Sequence, residues 1–339
     1  MGFILCFCSV VLFVGCSDSG EGSKWPTNPI ESAIIVDARN IWITTDKAEL
    51  IYLKNGAIAA KQLEDDVAAA DFINKDVGWS LMKNGDLFQT HNGGANWQKI
   101  GKVQRNIKGK WPFWTPSRMM RFADENVGWI VASDSVFRTE DGGQTWKTFD
   151  APKRDSPQGI VVVDRNEFWY ITVTGLVFHT LDGGVTWQSN ELPGRRPDYG
   201  YDTTIARDAG GRIWVTALEQ KPMLYVSSER GQTWDERTFP AEAGKISVES
   251  IQFAPDGTGR IVFRRIVETD QPIHSSVAVT TDSGETWKLL PINGLLFEPL
   301  RVEFVNASVG FLVGKSNIAM TEDGGTNWKV IYTSKEGPA

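Results

Sequence analysis

Cysteine and histidine are scarce in this 339-residue sequence, and their scarcity excludes several kinds of site. All three cysteines lie within the first sixteen residues, so the rest of the chain holds neither a disulfide nor a thiolate metal site. The three histidines are isolated, at positions 91, 179 and 274, and no His-Glu-x-x-His spacing occurs. We therefore expect a protein without a metal ion and without a cofactor.

Long apolar runs and helical periodicity are absent as well. No apolar run reaches the roughly 20 residues that a membrane-spanning helix needs. No stretch repeats apolar residues at helical spacing, which argues against an α/β enzyme core, and no Gly-x-Ser-x-Gly elbow is present. Acidic residues outnumber basic residues, 42 to 35, and the formal net charge of −7 argues against general nucleic-acid binding.

One short turn motif occurs six times and is the most informative feature of the chain. Each copy starts at Ser or Thr, carries an acid or amide two residues later and ends in Trp. The copies span residues 90–97, 139–146, 180–187, 227–234, 280–287 and 321–328. Their Trp residues are 49, 41, 47, 53 and 41 positions apart, and a period near that of a four-stranded blade indicates a β-propeller.

The motif resembles the Asp-box of bacterial-neuraminidase-type (BNR) repeats, Ser/Thr-x-Asp-x-Gly-x-Thr-Trp. The carboxylate of Asp141 can accept hydrogen bonds from backbone N–H groups of its own turn, and Gly143 can adopt a positive φ. We expect the acceptor of each box to be structural, and Glu229 to leave its turn looser because its side chain is longer. The six acceptors are Asn92, Asp141, Asp182, Glu229, Asp282 and Asp323.

A second aromatic recurs 17 to 20 residues before the box Trp, which fits two strands and a turn. These upstream aromatics are Trp79, Trp129, Trp169, Trp214 and Phe311. Trp42 marks a further unit without a box, in which Lys54-Asn-Gly56 offers a hairpin turn. The sequence thus predicts an all-β fold, a seven-bladed β-propeller of four-stranded antiparallel blades, with its first blade at 33–63 and its last at 300–332. Blade one would pack on blade seven, and the eleven repeated Trp residues would lie between blades.

The amino terminus differs from the repeats. Phe3 to Val14 is a 12-residue apolar run, too short to span a bilayer and long enough for the core of a signal peptide. It is followed by Gly15-Cys16 and a polar stretch, and it resembles a bacterial lipoprotein leader in which Cys16 becomes the acylated first residue. An ordinary cleaved signal and an uncleaved anchor are the alternatives.

On the lipoprotein interpretation the chain has three parts. They are a lipoprotein-type signal peptide at 1–16 that ends at the lipidated Cys, a tether at 17–32 and the propeller at 33–335. The resemblance to lipoprotein sorting implies that Ser17 directs the protein to the bacterial cell envelope, on the periplasmic face of the outer membrane.

One segment between two repeats is unusually basic. From Gly101 to Phe122 there are six basic residues and no acid, interleaved with aromatics. Exposed aromatics beside Arg and Lys anchor many interfaces, so this segment is the best candidate for a partner surface. Its candidate binding residues are Arg105, Lys108, Lys110, Trp111 and Trp114. The alternative is a solvated loop whose Trp rings cover a blade edge.

Two further segments depart from the repeat. One lies between blades and offers Arg195, Arg196 and Tyr199, and the other lengthens the sixth blade and offers Arg264 and Arg265. Loops on one face of a propeller converge on its central channel, so these residues could share a site with the basic segment. Each segment could equally be a plain loop.

Carbohydrate chemistry is the alternative function. Sialidases carry the same boxes, but the Phe-Arg-Ile-Pro motif that they place before the first box is absent here. A carbohydrate-active enzyme or a glycan-binding module would need paired carboxylates at the channel mouth. Asp198, Asp202, Glu268 and Asp270 are the candidates. Enzyme activity is therefore left open, with a non-catalytic protein favoured.

Over residues 33–332 the chain resembles the photosystem II stability and assembly factor family and its relatives in non-photosynthetic bacteria. The resemblance is carried by Val127-Gly-Trp129 with Asp141-Gly-Gly-Gln-Thr-Trp146, and by Val309-Gly-Phe311 with Trp328. It implies a non-catalytic scaffold that binds membrane-protein assembly intermediates. We accordingly expect a membrane-anchored propeller whose partner is an acidic membrane protein or envelope complex.

Overall fold

The computed structural model of the chain describes residues 30–45, 50–62, 67–104, 119–132, 134–152, 155–194, 202–218, 222–239, 246–254, 256–265, 275–292, 295 and 299–334. The predicted signal peptide, Cys16 and most of the tether lie outside these residues. Over the described ranges the regular elements are all β-strands, and they include no helix with the length and apolarity to cross a membrane.

The described chain contains 28 strands in seven four-stranded antiparallel sheets, each built from four consecutive strands. We number these sheets blades 1 to 7. The strands of blades 1 to 4 are β1 (Ile30–Ile35), β2 (Asn40–Thr45), β3 (Leu50–Lys54), β4 (Ala57–Gln62), β5 (Val67–Phe72), β6 (Gly78–Met82), β7 (Asp86–Thr90), β8 (Gln98–Lys102), β9 (Met120–Phe122), β10 (Gly128–Val131), β11 (Ser135–Thr139), β12 (Lys147–Asp150), β13 (Pro157–Val162), β14 (Phe168–Thr172), β15 (Leu176–Thr180) and β16 (Gln188–Glu191). The strands of blades 5 to 7 are β17 (Asp202–Arg207), β18 (Ile213–Leu218), β19 (Pro222–Ser227), β20 (Asp235–Arg237), β21 (Ile246–Phe253), β22 (Gly259–Arg265), β23 (Ser275–Thr280), β24 (Lys288–Pro291), β25 (Pro299–Phe304), β26 (Gly310–Gly314), β27 (Asn317–Thr321) and β28 (Lys329–Thr333). The predicted seven-bladed propeller is confirmed.

The core is divided among the interfaces between blades. Seven hydrophobic clusters of buried residues each join two neighbouring blades, so every interface of the ring has its own core. At the interface that closes the ring, Phe311 of blade 7 packs with Ile41 of blade 1. The backbone N–H of Ile30 donates to the carbonyl of Lys315 across the same interface, at 2.6 Å. Blade 1 therefore packs on blade 7 without a shared strand.

The second strand of each blade is the most deeply buried because a neighbouring blade covers each of its faces. Every residue of β14 is buried, for example. The five upstream Trp residues are at most 1% exposed. The six box Trp residues are only half-buried. All six box Trp residues pack against the interblade clusters at the solvent edge of the interfaces, so all eleven repeated Trp residues lie between blades.

A glycine precedes several upstream aromatics because a ring covers it. Phe72 of β5 pairs with Gly78 of β6, and a Cβ on Gly78 would lie 2.4 Å from the Phe72 ring. The same Phe ring stacks on Trp42 of the preceding blade, with centroids 5.1 Å apart. Pairs of this kind recur at Phe122 with Gly128, Phe253 with Gly259, and Phe304 with Gly310. A side chain at the glycine would displace the ring from the interface.

The boxes are held by hydrogen bonds within each turn. In the second box, Thr139 Oγ1 accepts from the N–H of Gly143 at 2.8 Å and donates to Asp141 at 2.8 Å. Asp141 also accepts from the N–H of Thr145, at 2.9 Å. The fourth box differs, because Glu229 accepts from the hydroxyl of Thr233 at 2.8 Å and, within the described turn, receives no backbone N–H of that residue. The turn of the fourth box therefore has one hydrogen bond to a backbone N–H fewer than the other five boxes.

Blade 6 has an arginine where six other blades have an aromatic. Arg260 of β22 pairs with Gln252 as Trp214 pairs with Ala206 in blade 5. The Arg260 guanidinium lies over the Phe304 ring of blade 7, and its Nη2 donates to the carbonyl of Ala307 at 2.7 Å. The side chain is buried, and burial lowers the pKa of Arg260 to about 10. Because Arg260 is not aromatic, the pattern of recurring aromatics in the sequence does not include this position.

The two faces of the ring carry different connections. The box face holds the turns between the first and second strands and the turns between the third and fourth strands, which include all six boxes. The loop face holds the turns between the second and third strands and the segments that connect one blade to the next. The first strands of neighbouring blades contact one another and form the innermost layer.

Candidate functional site

Three segments break the repeat, and all three connect strand ends on the loop face. They are residues 103–119 between β8 and β9, residues 192–201 between β16 and β17, and residues 266–274 between β22 and β23. The predicted binding residues Arg105, Lys108, Lys110, Trp111, Trp114, Arg195, Arg196 and Tyr199 lie outside the described residues. Arg264 and Arg265 end β22, where the structure describes their backbone only. The two carboxylates of the alternative function in 266–274, and Asp198, are also outside, and Asp202 begins β17.

The two described ends of the basic segment lie on different strands, one at the outside of a blade and one at the centre of the ring. Lys102, at its start, is half-exposed, with its Nζ 3.7 Å from a carboxylate oxygen of Asp86, which also pairs with Lys99. Arg121, at its end, lies on the inner strand β9 and faces the centre of the ring. The segment therefore runs from the outer strand of blade 2 to the channel.

The centre of the ring contains a cavity of about 270 Å³. It is lined by the first strands of blades 3 to 7, and its lining is mostly polar. Among the lining residues are Arg121, Gln158, Thr204, Ser250, Gln252, Arg301 and Glu303. No Trp is among the lining residues that the structure describes. The channel can therefore hold water or a polar chain segment, and Phe253 is the one aromatic among its described lining residues.

Asp71 connects blades 2 and 3 at the channel. One of its carboxylate oxygens accepts the backbone N–H of Phe122 at 2.8 Å, and the other lies 3.3 Å from Nη1 of Arg121. Asp71 is 5% exposed. Burial raises the pKa of Asp71, with Glu303 adding to the rise, and the Arg121 charge and the Phe122 N–H oppose it. The side chain thus acts as a buried tie between two inner strands.

A second ion pair lies on the other side of blade 1. Arg301 of β25 donates to the carbonyl of Ala33 in blade 1 at 2.8 Å and pairs with Glu303 on its own strand. Both side chains are half-buried. Asp71 and Glu303 are each bonded to an arginine, so this arc of the channel, from blade 7 to blade 3, is close to neutral. A further carboxylate, Glu249 of blade 6, also lines the cavity.

Neutral side chains connect blades 6 and 7 in the same layer. Gln252 accepts the N–H of Phe304 at 2.7 Å and donates to its carbonyl at 3.3 Å. Ser250 Oγ accepts the N–H of Val302 at 3.1 Å. In these bonds a side chain satisfies the free backbone edge of the neighbouring inner strand, which would otherwise lack a partner. Much of the polarity of the channel is therefore structural.

One position of the inner strands follows a rule that the sequence carries but that the search for aromatics missed. It lies eight residues before the upstream position and pairs with it across the first two strands, as Asp71 pairs with Trp79. Around the ring this position holds Ile34, Asp71, Arg121, Val161, Ala206, Gln252 and Glu303. Aligning the repeats on the upstream aromatic would have found Asp71 and Glu303 as inner-strand charges.

Metal chemistry has no support in the part of the chain that the structure describes. It contains no cluster of three or more His, Cys, Asp or Glu residues able to hold a metal ion. His179 is buried and stacks on Trp169 with centroids 4.0 Å apart, and burial lowers its pKa. This histidine is a packing residue.

Residues 115–236, which extend from the end of the basic segment through blade 5, match the family model described as photosynthesis system II assembly factor YCF48. No curated protein matches the sequence. Among solved structures, the chain is similar to one described as YCF48 bound to D1 peptide, at 23% identity and a TM-score of 0.55, over 78% of this chain and 82% of that chain. It is also similar to YCF48 from Cyanidioschyzon merolae, at 18% identity and a TM-score of 0.57, over 80% of this chain and 87% of that chain.

A glycoside hydrolase shares the fold at a lower sequence identity. The GH74 xyloglucanase from Xanthomonas campestris is similar with a TM-score of 0.68 and 10% identity, over 91% of this chain and 55% of that chain. At such low identities the structural similarities show the fold. The match to the family model over blades 3 to 5 adds evidence from the sequence itself. The resemblance stated from the sequence is confirmed: this chain is a BNR-type propeller similar to the photosystem II assembly factors of the YCF48 family.

Proposed function

We propose that this protein is a non-catalytic scaffold that binds a protein partner through its loop face while a lipid on Cys16 holds it at a membrane. One observation carries the proposal. All three segments that break the repeat connect strand ends on the loop face, whereas the box face repeats the same short turn in six blades. Variation concentrated on one face of a rigid scaffold is typical of a binding surface.

The similar proteins support a protein partner. The structure described as YCF48 bound to D1 peptide shows that a propeller similar to this one can bind a peptide. The family match starts at residue 115, inside the basic segment, and continues across blades 3 to 5. A binding surface that includes residues 103–119 and 192–201 would lie on the same blades.

The partner should be acidic where it meets the basic segment. Six basic residues without an acid lie between residues 101 and 122, in a chain with a net charge of −7. Lys102 and Arg121 pair with Asp86 and Asp71, so the attraction of a partner is assigned to the other four. A local patch of this kind attracts an acidic partner and weakens with salt, because exposed charges are screened over about 10 Å at 0.1 M salt. Trp111 and Trp114 would supply the apolar contact, and Lys108 and Lys110 the steering.

The described channel favours a scaffold over a carbohydrate-active enzyme. A hydrolase needs one carboxyl group held protonated and a second one free to act as a base or nucleophile. Two of the three described channel carboxylates, Asp71 and Glu303, are each bonded to an arginine, and Asp71 also accepts a backbone N–H of the next blade. The third is Glu249 of blade 6. The bonds of Asp71 and Glu303 suit structural ties.

The lipid anchor is a separate part of the proposal. It rests on the apolar run that ends at Gly15-Cys16 and on the polar stretch that follows. Two or more acyl chains would hold the protein stably at a membrane, here the periplasmic face of a bacterial outer membrane. Mass spectrometry of the membrane fraction should find an acylated Cys16 as the mature amino terminus. An unmodified terminus beyond Cys16 in a soluble pool would contradict it.

Site-specific photocrosslinking in the full chain tests the loop face directly. A crosslinking amino acid in place of Trp111, in the basic segment, should capture a protein partner from the membranes of the native host. The matched control replaces Gln144, an exposed residue at the tip of the second box on the opposite face, and should capture no protein other than this chain itself. Equal capture of the same partner at both positions would contradict the proposal that the partner binds on the loop face. Capture of oligosaccharide at position 111, with no protein, would favour the glycan-binding alternative.

A further inference from the structure

In four blades, the box covers the outer part of the preceding blade. The contact recurs at one position, because the residue three places after a box Trp lies against the last glycine of the next box. The pairs are Ile100 with Gly143, Phe149 with Gly184, Asn190 with Gly231, and Leu290 with Gly325. A box turn is thus the normal cover for the third and fourth strands of the blade before it.

Blade 7 lacks this cover because blade 1 has no box. Gly56, in the short turn of blade 1, lies against Ile331, the residue three places after Trp328, and a Cβ on Gly56 would lie 2.6 Å from the Ile331 carbonyl oxygen. The rest of a box turn is missing, and a cavity of about 380 Å³ remains. We call this cavity the notch. It is lined by Met320, Glu322, Asp323, Asn327, Trp328, Lys329 and Ile331.

The blade 1 side of the notch exposes an apolar side chain. Ile58 of β4 is 57% exposed. It pairs with Leu53, which packs in the hydrophobic cluster between blades 7 and 1. Because paired residues of antiparallel strands point to the same face of a sheet, Ile58 is on the face that looks toward blade 7. Ile58 therefore lies on the side of blade 1 that faces blade 7. The notch itself is lined by blade 7, with Met320 and Ile331 as its aliphatic side chains beside Trp328 and four polar or charged residues.

An apolar protrusion lies on the same face of the ring. At the tip of the third box, in blade 4, Val185 is 76% exposed and Leu181 is 37% exposed. The other five boxes carry polar residues or alanine at these two positions. Two large apolar side chains on a solvent-exposed turn, in one box of six, indicate a contact with another molecule.

The protrusion and the notch lie three blade positions apart on the ring. Seven equal blades are spaced by about 51°, so the third box, on blade 4, is about 154° from the place where a box of blade 1 would lie. A two-fold axis in the plane between two box faces, along the bisector of this angle, brings each protrusion onto the notch of the other copy. A symmetric pair makes both contacts at once and leaves neither feature open.

We propose that two copies of this chain pair box face to box face, with the third box of each copy seated in the notch of the other. A box turn already covers the corresponding position in four other blades, so the notch fits a turn of the same kind. Charge agrees with the fit, because Arg165 is exposed beside the third box and Glu322 is exposed on the rim of the notch. The two loop faces point away from each other, so each copy keeps its partner surface open.

Mass measurement of the full chain tests the pairing. In a concentration series that reaches about 100 μM, the wild type should form a species of twice the 37.7 kDa chain mass. Val185→Asp and Ile58→Asp should each raise the dissociation constant by about tenfold or more, because each removes two equivalent contacts. Leu289→Asp is the matched control, since Leu289 is 40% exposed but lies on β24 of blade 6, and it should pair as the wild type does.

A mixing experiment separates a lost contact from a lost fold. Val185→Lys and Ile58→Glu should each be monomeric when alone. Mixed, they should form a heterodimer, because one of its two contacts is Lys with Glu and the other is the wild-type pair. A wild type that stays monomeric throughout the series overturns the proposal. A dimer that survives both aspartate variants, or a mixture that stays monomeric, overturns it as well.

Discussion

The guanidinium of Arg260 lies over the ring of Phe304, with its Cζ 3.5 Å from the ring centroid. In blade 5 the corresponding contact across the interface is between two aromatics, Trp214 and Phe253, with centroids 5.2 Å apart. The interface between blades 6 and 7 thus uses a cation where the interface between blades 5 and 6 uses an indole. Nη1 and Nη2 of Arg260 are hydrogen-bonded, to Thr258 and Ala307.

Removal of this arginine should destabilise the ring. Arg260→Ala removes a desolvated cation–π contact and a charged hydrogen bond to a carbonyl, and we expect a loss of about 2–4 kcal/mol in the free energy of unfolding. Denaturant titration measures it. Arg165→Ala, which truncates an exposed arginine, is the control and should cost less than about 0.5 kcal/mol. Equal effects of the two variants would show that Arg260 does not support the interface.

The buried carboxyl of Asp71 should make stability depend on pH. The pKa of Asp71 is raised above its ordinary value of 3.8 in the folded protein, so the folded state holds this proton more tightly than the unfolded state does. Stability from this group is full below that ordinary value and is lost as the pH rises through the folded-state pKa. Asp71→Asn keeps an oxygen for the Phe122 N–H and lacks the titration. Urea midpoints from about pH 4 to pH 7 should shift in favour of the variant as the pH rises.

The control for Asp71 is Asp76→Asn, on an exposed turn of the same blade. This variant should follow the pH dependence of the wild type. If the difference between Asp71→Asn and the wild type is the same at every pH, Asp71 does not titrate in this range.

The box acceptors should differ in their contribution to stability. Asp141→Ala leaves the N–H of Thr145 and two hydroxyl groups without their acceptor and should cost about 1–3 kcal/mol in unfolding free energy. Glu229→Ala should cost less, because Glu229 accepts a hydroxyl and lacks the backbone bond. Thermal unfolding of both variants checks the order. Unchanged stability of Asp141→Ala with loss of partner binding would assign the box to recognition.

Two other boxes should respond to acid. Hydrogen bonds within the turn, from Thr280 and Thr286 to Asp282, lower the pKa of Asp282 to about 2, and bonds from Asn327 and Thr321 lower that of Asp323 to about 2. A lowered folded-state pKa stabilises above the unfolded value of 3.8, and this stability is lost as the pH falls toward 2. The melting temperature of the wild type should therefore fall more steeply below about pH 4 than that of the double variant Asp282→Asn/Asp323→Asn. Parallel curves would contradict it.

The fold could be predicted from the sequence because its repeats are local. A box needs Thr, an acceptor, Gly and Trp within eight residues, and its hydrogen bonds stay inside the turn, as at Asp141. The upstream aromatic lies at a nearly constant distance from the box. Local chemistry at regular spacing therefore gave the number of blades.

The interfaces and the channel could not be predicted in the same way. Arg260 occupies a position that is aromatic in the other blades, because a cation can also stack on Phe304. The residue type alone does not predict that an arginine replaces an aromatic there. Asp71 and Arg121 are 50 positions apart, and their pairing depends on two inner strands that meet only in the closed ring. The notch follows from a missing turn in blade 1. It is recognised only from the contact of Gly56 with Ile331 across the closing interface, which the sequence does not show.

The central claim is that the loop face binds an acidic partner, and association kinetics with the captured partner test it most directly. Lys108→Glu/Lys110→Glu should slow association by about tenfold or more and flatten its salt dependence, because the two charges steer the encounter. Lys75→Glu/Lys147→Glu changes two exposed lysines of the box face by the same charge and should leave the association rate within about twofold of the wild type. Equal slowing by the two double variants, or no slowing by the first, would contradict the account.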